Sequence, residues 1–144
     1  MKVTWSAPDA AHPARDASRR SMDAVSRGAK DEWLALFAPD AVVADPVGPS
    51  VFDPEGAGHQ GLAAIAAFWD NTVANAERIE FSIIDSFAAG DEVANVGTIT
   101  SYLPGDHRLD TEGVFVYRVD EQGRIRSLRA HWEFDRAMAT LRPA

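Results

Sequence analysis

The sequence predicts one α+β domain in which a curved antiparallel sheet wraps around three helices. Three observations carry that expectation. Apolar residues recur at helical spacing in three segments of the first half, then alternate with period two in four consecutive segments of the second half. All of this falls within 144 residues, the length of one domain with one core.

Residues 1–13 contain Pro8, Pro13 and small residues, and they read as a loose tail ahead of a domain spanning 14–137. Ala14, Ala17, Ser21, Met22 and Val25 then share one side of a helix that Gly28 ends. A second helix is expected over Lys30 to Phe37, with Trp33, Leu34 and Phe37 at helical spacing. Pro39 and Asp40 close it, and Ala41 to Asp45 reads as a strand that stops at Pro46. The stretch PVGPSVFDPEGAGHQG reads as an ordered loop, too long for a simple connection. Leu62, Ile65, Phe68, Trp69 and Thr72 mark a third helix with one buried face. Ile79 to Ile83 opens the sheet region, with a turn at Gly90-Asp91. Strands follow over Glu92 to Leu103, Arg108 to Val119 and Arg124 to Phe134, joined by Pro104-Gly105-Asp106 and Asp120-Glu121-Gln122-Gly123. Residues 138–144 form a second tail.

Composition excludes several functions. A net charge of −8 argues against a nucleic-acid surface. Arg124, Arg126, Arg129, Arg136 and Arg142 alternate as on a solvated sheet face, mixed with Glu133 and Asp135. No window is apolar for the ~18 residues a membrane span needs. Lys2, Asp9, Arg15 and Asp16 break up any leader-like run at the N-terminus. The absence of cysteine excludes disulfides, thiolate catalysis and thiolate metal sites, and is compatible with the expected cytoplasmic location. His12, His59, His107 and His131 show no ligand spacing, and no glycine-rich phosphate loop follows a strand. Neither metal nor nucleotide cofactor is expected. His59 is expected to order its loop through hydrogen bonds.

The runs LFAPDAVVADPVGP and GHQGLAAIAAFW, followed by VYRVDEQGRIRSLRAHW, resemble the steroid Δ5-isomerase branch of the superfamily that includes nuclear transport factor 2. The likeness extends over roughly Ser18 to Phe134. It implies a cone-shaped fold, with sheet and helices enclosing an apolar cavity, usually in a homodimer. It also implies that Asp45, ending the first strand before proline, is a general base acting on an apolar ketone such as a steroid.

The sequence departs from the family where the oxyanion donors belong. By position, Ser21 replaces the oxyanion tyrosine, Phe115 replaces the protonated aspartic acid, and Phe37 and Trp69 replace the supporting tyrosines. Loss of one such donor typically costs about 3–4 kcal/mol, or about 100- to 1000-fold in rate. The expected substitutes are the Trp69 indole N–H or a water held by Ser21. Trp132 alternates with Leu128, Ala130 and Phe134 on the inward face of the last strand, and it matches a substrate-contacting tryptophan of the family. Phe68, Val96, Thr98 and Phe115 complete the expected wall, while a one-residue slip would present Asn95 and Ile99 instead. Tyr117 is expected on an exposed face, with the arginines, where a second copy could pair. Three activities fit: isomerisation, ligand binding without chemistry, and a polyketide cyclase or hydrolase-like reaction driven by Asp45.

Overall fold

The computed structural model describes residues 2–144. Its strands are β1 (Val3–Trp5), β2 (Phe37–Ala44), β3 (His59–Gln60), β4 (Arg78–Ala89), β5 (Glu92–Leu103), β6 (His107–Val119), β7 (Ile125–His131) and β8 (Arg142–Pro143). They form one curved, unclosed sheet in the order β1-β4-β5-β6-β7-β2-β3, with β8 added to β6. Helix α1 (Pro13–Ser26) packs on β4, β5 and β6, α2 (Lys30–Leu34) on α1 and α3, and α3 (Leu62–Asn71) on β2. A fourth helix, α4 (Phe134–Met138), lies against β6. The α+β class and the curved sheet are as the sequence predicts.

Five local expectations are corrected. The stretch read as a loose tail contains β1, which pairs in parallel with β4 through Val3–Phe81 and Trp5–Ile83, covering backbone groups of an edge strand. The second parallel pairing joins β2 to β7, so the sheet is mixed, with the β4-β5-β6-β7 meander as its antiparallel part. Helix α2 stops at Leu34 and Phe37 already belongs to β2, because Pro39 biases Ala38 toward extended backbone. The last long strand ends at His131, and Phe134 opens α4 instead of continuing it. In the second expected tail, β8 is tied down by Arg142 pairing with Asp110 at 2.9 Å.

Helix α1 is well delimited. Pro13 occupies its first turn, and the Nδ1 of His12 accepts from the Ala14 N–H at 3.1 Å. His12 Nε2 lies 3.0 Å from the Gly90 carbonyl, so that nitrogen carries the proton and ties the helix start to the β4-β5 turn. At the other end the Gly28 and Ala29 N–H groups bond back to the Val25 and Ala24 carbonyls, with Gly28 at φ 67°. That is a Schellman cap. Between its ends the helix is anchored by buried polar groups. Arg15 Nε donates to Ser86 Oγ at 3.0 Å, Ser86 Oγ donates to Asn95 Oδ1 at 2.7 Å, and Asn95 Nδ2 donates to Ser18 Oγ at 2.9 Å. The network satisfies buried donors and fixes the rotation of α1, and with it the direction of Ser21.

Two glycines face each other across β5 and β6 where other backbone comes close. Gly97 pairs with Gly113. A Cβ at Gly97 would collide with the Ser82 carbonyl and lie 2.9 Å from the Ile83 Cα. One at Gly113 would collide with the His131 carbonyl and lie 3.0 Å from the Trp132 Cβ. Backbone thus approaches where a side chain would otherwise stand. Gly113→Ala should lower stability by about 1–3 kcal/mol, the usual cost of overpacking. Urea unfolding reads this directly, and an unchanged midpoint would remove the close approach from the account.

Candidate active site

The curved sheet and α1, α3 and α4 enclose a cavity of about 350 Å³, within the size range of small-molecule sites, ~300–1,000 Å³. Its wall follows β6 from Leu109 to Tyr117, nine residues or about 26 Å along the strand. Apolar side chains dominate the lining, among them Val25, Phe68, Ile79, Phe81, Leu109 and Leu128.

Asp45 follows directly on β2, where the strand gives way to the Pro46 loop. Because β2 pairs in parallel with β7, Ala44 lies beside Arg129, and the residues just beyond both strands emerge side by side. That register brings Trp132 to Asp45. The indole Nε1 donates to Asp45 Oδ1 at 2.6 Å, a charge-assisted bond. The second carboxylate oxygen accepts nothing from the described residues and is not among the buried, unpartnered atoms. Desolvation by the apolar surroundings pushes the Asp45 pKa above the ordinary carboxylate value. The Trp132 hydrogen bond and the nearby His59 imidazole pull it partly back.

A second polar group lies in the same cavity. Trp33 Nε1 donates to Ser21 Oγ at 3.0 Å, and Ser21 Oγ shares a 3.0 Å hydrogen bond with Tyr117 Oη. All three residues are buried and line the cavity. Burial is the main influence pushing the Tyr117 pKa upward. The negative charge of Asp45 adds to it, and the Ser21 hydrogen bond opposes it.

The structure brings together Asp45, Ser21, Phe68, Phe115 and Trp132 around one cavity. Four other residues expected there stand elsewhere. Phe37 and Trp69 are buried in the core, with ring centroids 4.7 and 5.2 Å from that of Trp33, so they back the cavity without lining it. The Trp69 indole is therefore not a donor toward the cavity, and the indole beside Ser21 belongs to Trp33. Val96 and Thr98 occupy the outer phase of β5, Val96 in a surface groove with Glu112 and His131. The inward phase runs through Val93, Asn95, Gly97 and Ile99. Asn95 serves the α1 anchor, and Ile99 lines the cavity.

Two functional candidates were not expected from sequence. Tyr117 is 5% exposed and faces inward, against its expected place on an exposed face. Its signal was present, since Tyr117 lies two residues from Phe115 and must share its face of β6. Trp33 read as core only, because nothing in the spacing of α2 points its indole at Ser21. His59, expected to order its loop by hydrogen bonds, leaves Nε2 buried without a partner and packs its ring 4.9 Å from Phe68. The loop is ordered instead by Asp53, whose carboxylate accepts from the Gly58 N–H at 2.7 Å.

A family model described as the SnoaL-like domain matches residues 18–128. The chain belongs to the SnoaL-like family. This SnoaL-like protein is 32% identical over 113 residues to the steroid Delta-isomerase of Nocardioides simplex, across 78% of this chain and 84% of that protein. It is similar to the solved Delta 5-3-ketosteroid isomerase from Mycobacterium sp., at 34% identity and TM-score 0.82, covering 93% of this chain and all of the other. It is equally similar, at 34% identity and TM-score 0.82, to a Mycobacterium tuberculosis protein solved in complex with estradiol-17beta-hemisuccinate, covering 92% and 99% of the two chains. Among the described residues, no helix is long and apolar enough to cross a membrane.

The raised pKa of Asp45 has a consequence for stability. A carboxyl whose folded pKa exceeds its unfolded value favours folding while protonated. That contribution is complete below the unfolded value of ~3.9 and is lost as pH rises through the folded value. At neutral pH the ionised side chain therefore costs stability, and Asp45→Asn should raise the melting temperature. The gain should shrink as pH falls toward ~4. Calorimetry at both pH values checks this; equal melting temperatures at neutral pH would show that the carboxylate is well solvated.

Proposed function

We propose that this protein is a cofactor-independent isomerase of the ketosteroid isomerase type, acting on a largely apolar ketone. Asp45 takes the acidic proton from the carbon between a ketone carbonyl and a carbon–carbon double bond. The electron pair moves onto the carbonyl oxygen to give a dienolate. The same carboxyl then returns the proton two carbons further on, leaving a conjugated enone and a regenerated carboxylate. The observation that supports this reading is the Asp45 carboxylate on the cavity wall, with one oxygen held by Trp132 and the other without a partner among the described residues.

The surroundings suit that task. Desolvation makes the carboxylate a stronger base than a solvated aspartate, which favours proton abstraction from carbon. The indole bond fixes its direction, so the attacking oxygen needs little reorganisation. An apolar cavity of about 350 Å³ suits an apolar skeleton, and a steroid-like molecule is the ligand class we assign. Dimerisation, usual in the family, belongs to this proposal as well.

One observation favours a rival. The Phe115 phenyl ring lines the cavity where the family's second oxyanion donor belongs, as expected of a protein that binds such ligands without turning them over. A β,γ-unsaturated ketosteroid followed by enone absorbance separates the two. The isomerase reading predicts turnover that falls by at least about 100-fold in Asp45→Asn, with ligand affinity kept. Tight binding without turnover in the wild type would establish the binding protein instead.

A further inference from the structure

We infer that Tyr117, on β6, is the relocated oxyanion donor of this site, and that Trp33 and Ser21 form the fixed hydrogen-bond relay behind it. The inference rests on the isomerase reading for its kinetic consequence, but its geometry stands apart from Asp45.

The hydroxyl and indole protons of this trio single out the free donor. Trp33 Nε1–H can only donate, and it donates to Ser21 Oγ at 3.0 Å. Ser21 must therefore send its own hydroxyl proton elsewhere. Serines in a helix commonly return it to a carbonyl of the preceding turn, as Ser18 does to the Arg15 carbonyl and Ser26 to the Asp23 carbonyl. Ser21 makes no such bond among the described residues, and its remaining partner is Tyr117 Oη at 3.0 Å. Ser21 and Tyr117 have two hydroxyl protons between them and one shared hydrogen bond. One proton is left over, and both residues line the cavity.

Which hydroxyl delivers it to a ligand follows from acidity. An oxyanion forming in the cavity draws the phenolic proton, because a phenol is a far stronger acid and hydrogen-bond donor than an aliphatic alcohol. Ser21 then turns its proton onto Tyr117 Oη, and the chain runs one way: Trp33 N–H to Ser21, Ser21 O–H to Tyr117, Tyr117 O–H to the ligand oxygen. Each bond polarises the next. The tyrosine stays protonated at neutral pH, since burial and the charge of Asp45 both push its pKa up. Tyr117 thus supplies a phenol from the sheet where the family's phenol would come from the first helix, at the position held here by Ser21. Trp33 and Ser21 are positioning residues, and Tyr117 is the group that touches the ligand.

The test uses 2-naphthol, a planar phenol that mimics a dienolate, with 2-methylnaphthalene as its apolar control, on the full chain. Tyr117→Phe keeps the ring and removes one oxygen. It should weaken 2-naphthol binding by about 2- to 10-fold, the range for a hydrogen bond between neutral groups, and leave 2-methylnaphthalene affinity unchanged. On the ketosteroid, kcat should fall by about 100- to 1000-fold with KM little altered. Trp33→Phe should weaken 2-naphthol by a smaller factor, and it tests the relay should Tyr117→Phe fold poorly. Equal 2-naphthol affinity in wild type and Tyr117→Phe would overturn the inference, as would equal loss of both ligands. Undiminished turnover in Tyr117→Phe, with Asp45→Asn inactive, would sink Tyr117 and leave the isomerase reading intact. A 2-naphthol preference that depends on Tyr117, in a protein without turnover, would keep Tyr117 as the ligand anchor and remove the isomerase reading.

Discussion

The site depends on the 2.6 Å hydrogen bond from the Trp132 indole to the Asp45 carboxylate. It joins two chain segments 87 residues apart, and it exists because β2 and β7 pair in parallel and leave the sheet together. A carboxylate among apolar side chains would otherwise favour its neutral form or turn toward solvent. One strong donor on one oxygen holds the charge in place without quenching it. The other oxygen remains available for chemistry. Gly113 serves the same end, since it lets the backbone preceding Trp132 close onto the sheet.

Stability and function pull against each other in this cavity. The buried polar groups that anchor α1 are paired: Arg15, Ser18, Ser86 and Asn95 bond to one another. Asp45 and the Ser21–Tyr117 pair are different, because each keeps one hydrogen-bonding capacity without a partner among the described residues. Leaving such capacity unused in an apolar cavity is costly, and such costs are typical of sites built for a ligand. An acceptor and a donor spared in this way, in one hollow, are what the proposed isomerisation would use.

Much of this was legible in the residues. Helical spacing in α1 and α3 and the period-two meander fixed the α+β class, and the Asp45-Pro46 corner with the final hairpin pointed to the family. The inward phase of β7 was legible because Leu128, Ala130 and Trp132 are large or small apolar residues between charged ones. What failed had local causes. On β5 the inward residues are Asn95, Gly97 and Ile99 while Val96 and Thr98 face out, so hydrophobicity gave the wrong phase. Tyr117 was misplaced because neighbouring arginines suggested an exposed face, although its offset from Phe115 required the same side. β1 and β8 are too short to show a period, and their pairing depends on edges that only the assembled sheet provides.

The central claim is that Asp45 is a desolvated carboxylate facing a cavity. The direct measurement is a carbon-13 titration of the aspartate side-chain carboxyls, with the Asp45 signal assigned by its absence in Asp45→Asn. The account predicts that this carboxyl titrates above the ordinary aspartate value and shifts further upward when an apolar ketone fills the cavity. A signal that titrates at the ordinary value and ignores the ketone would place the carboxylate in bulk water and contradict the account.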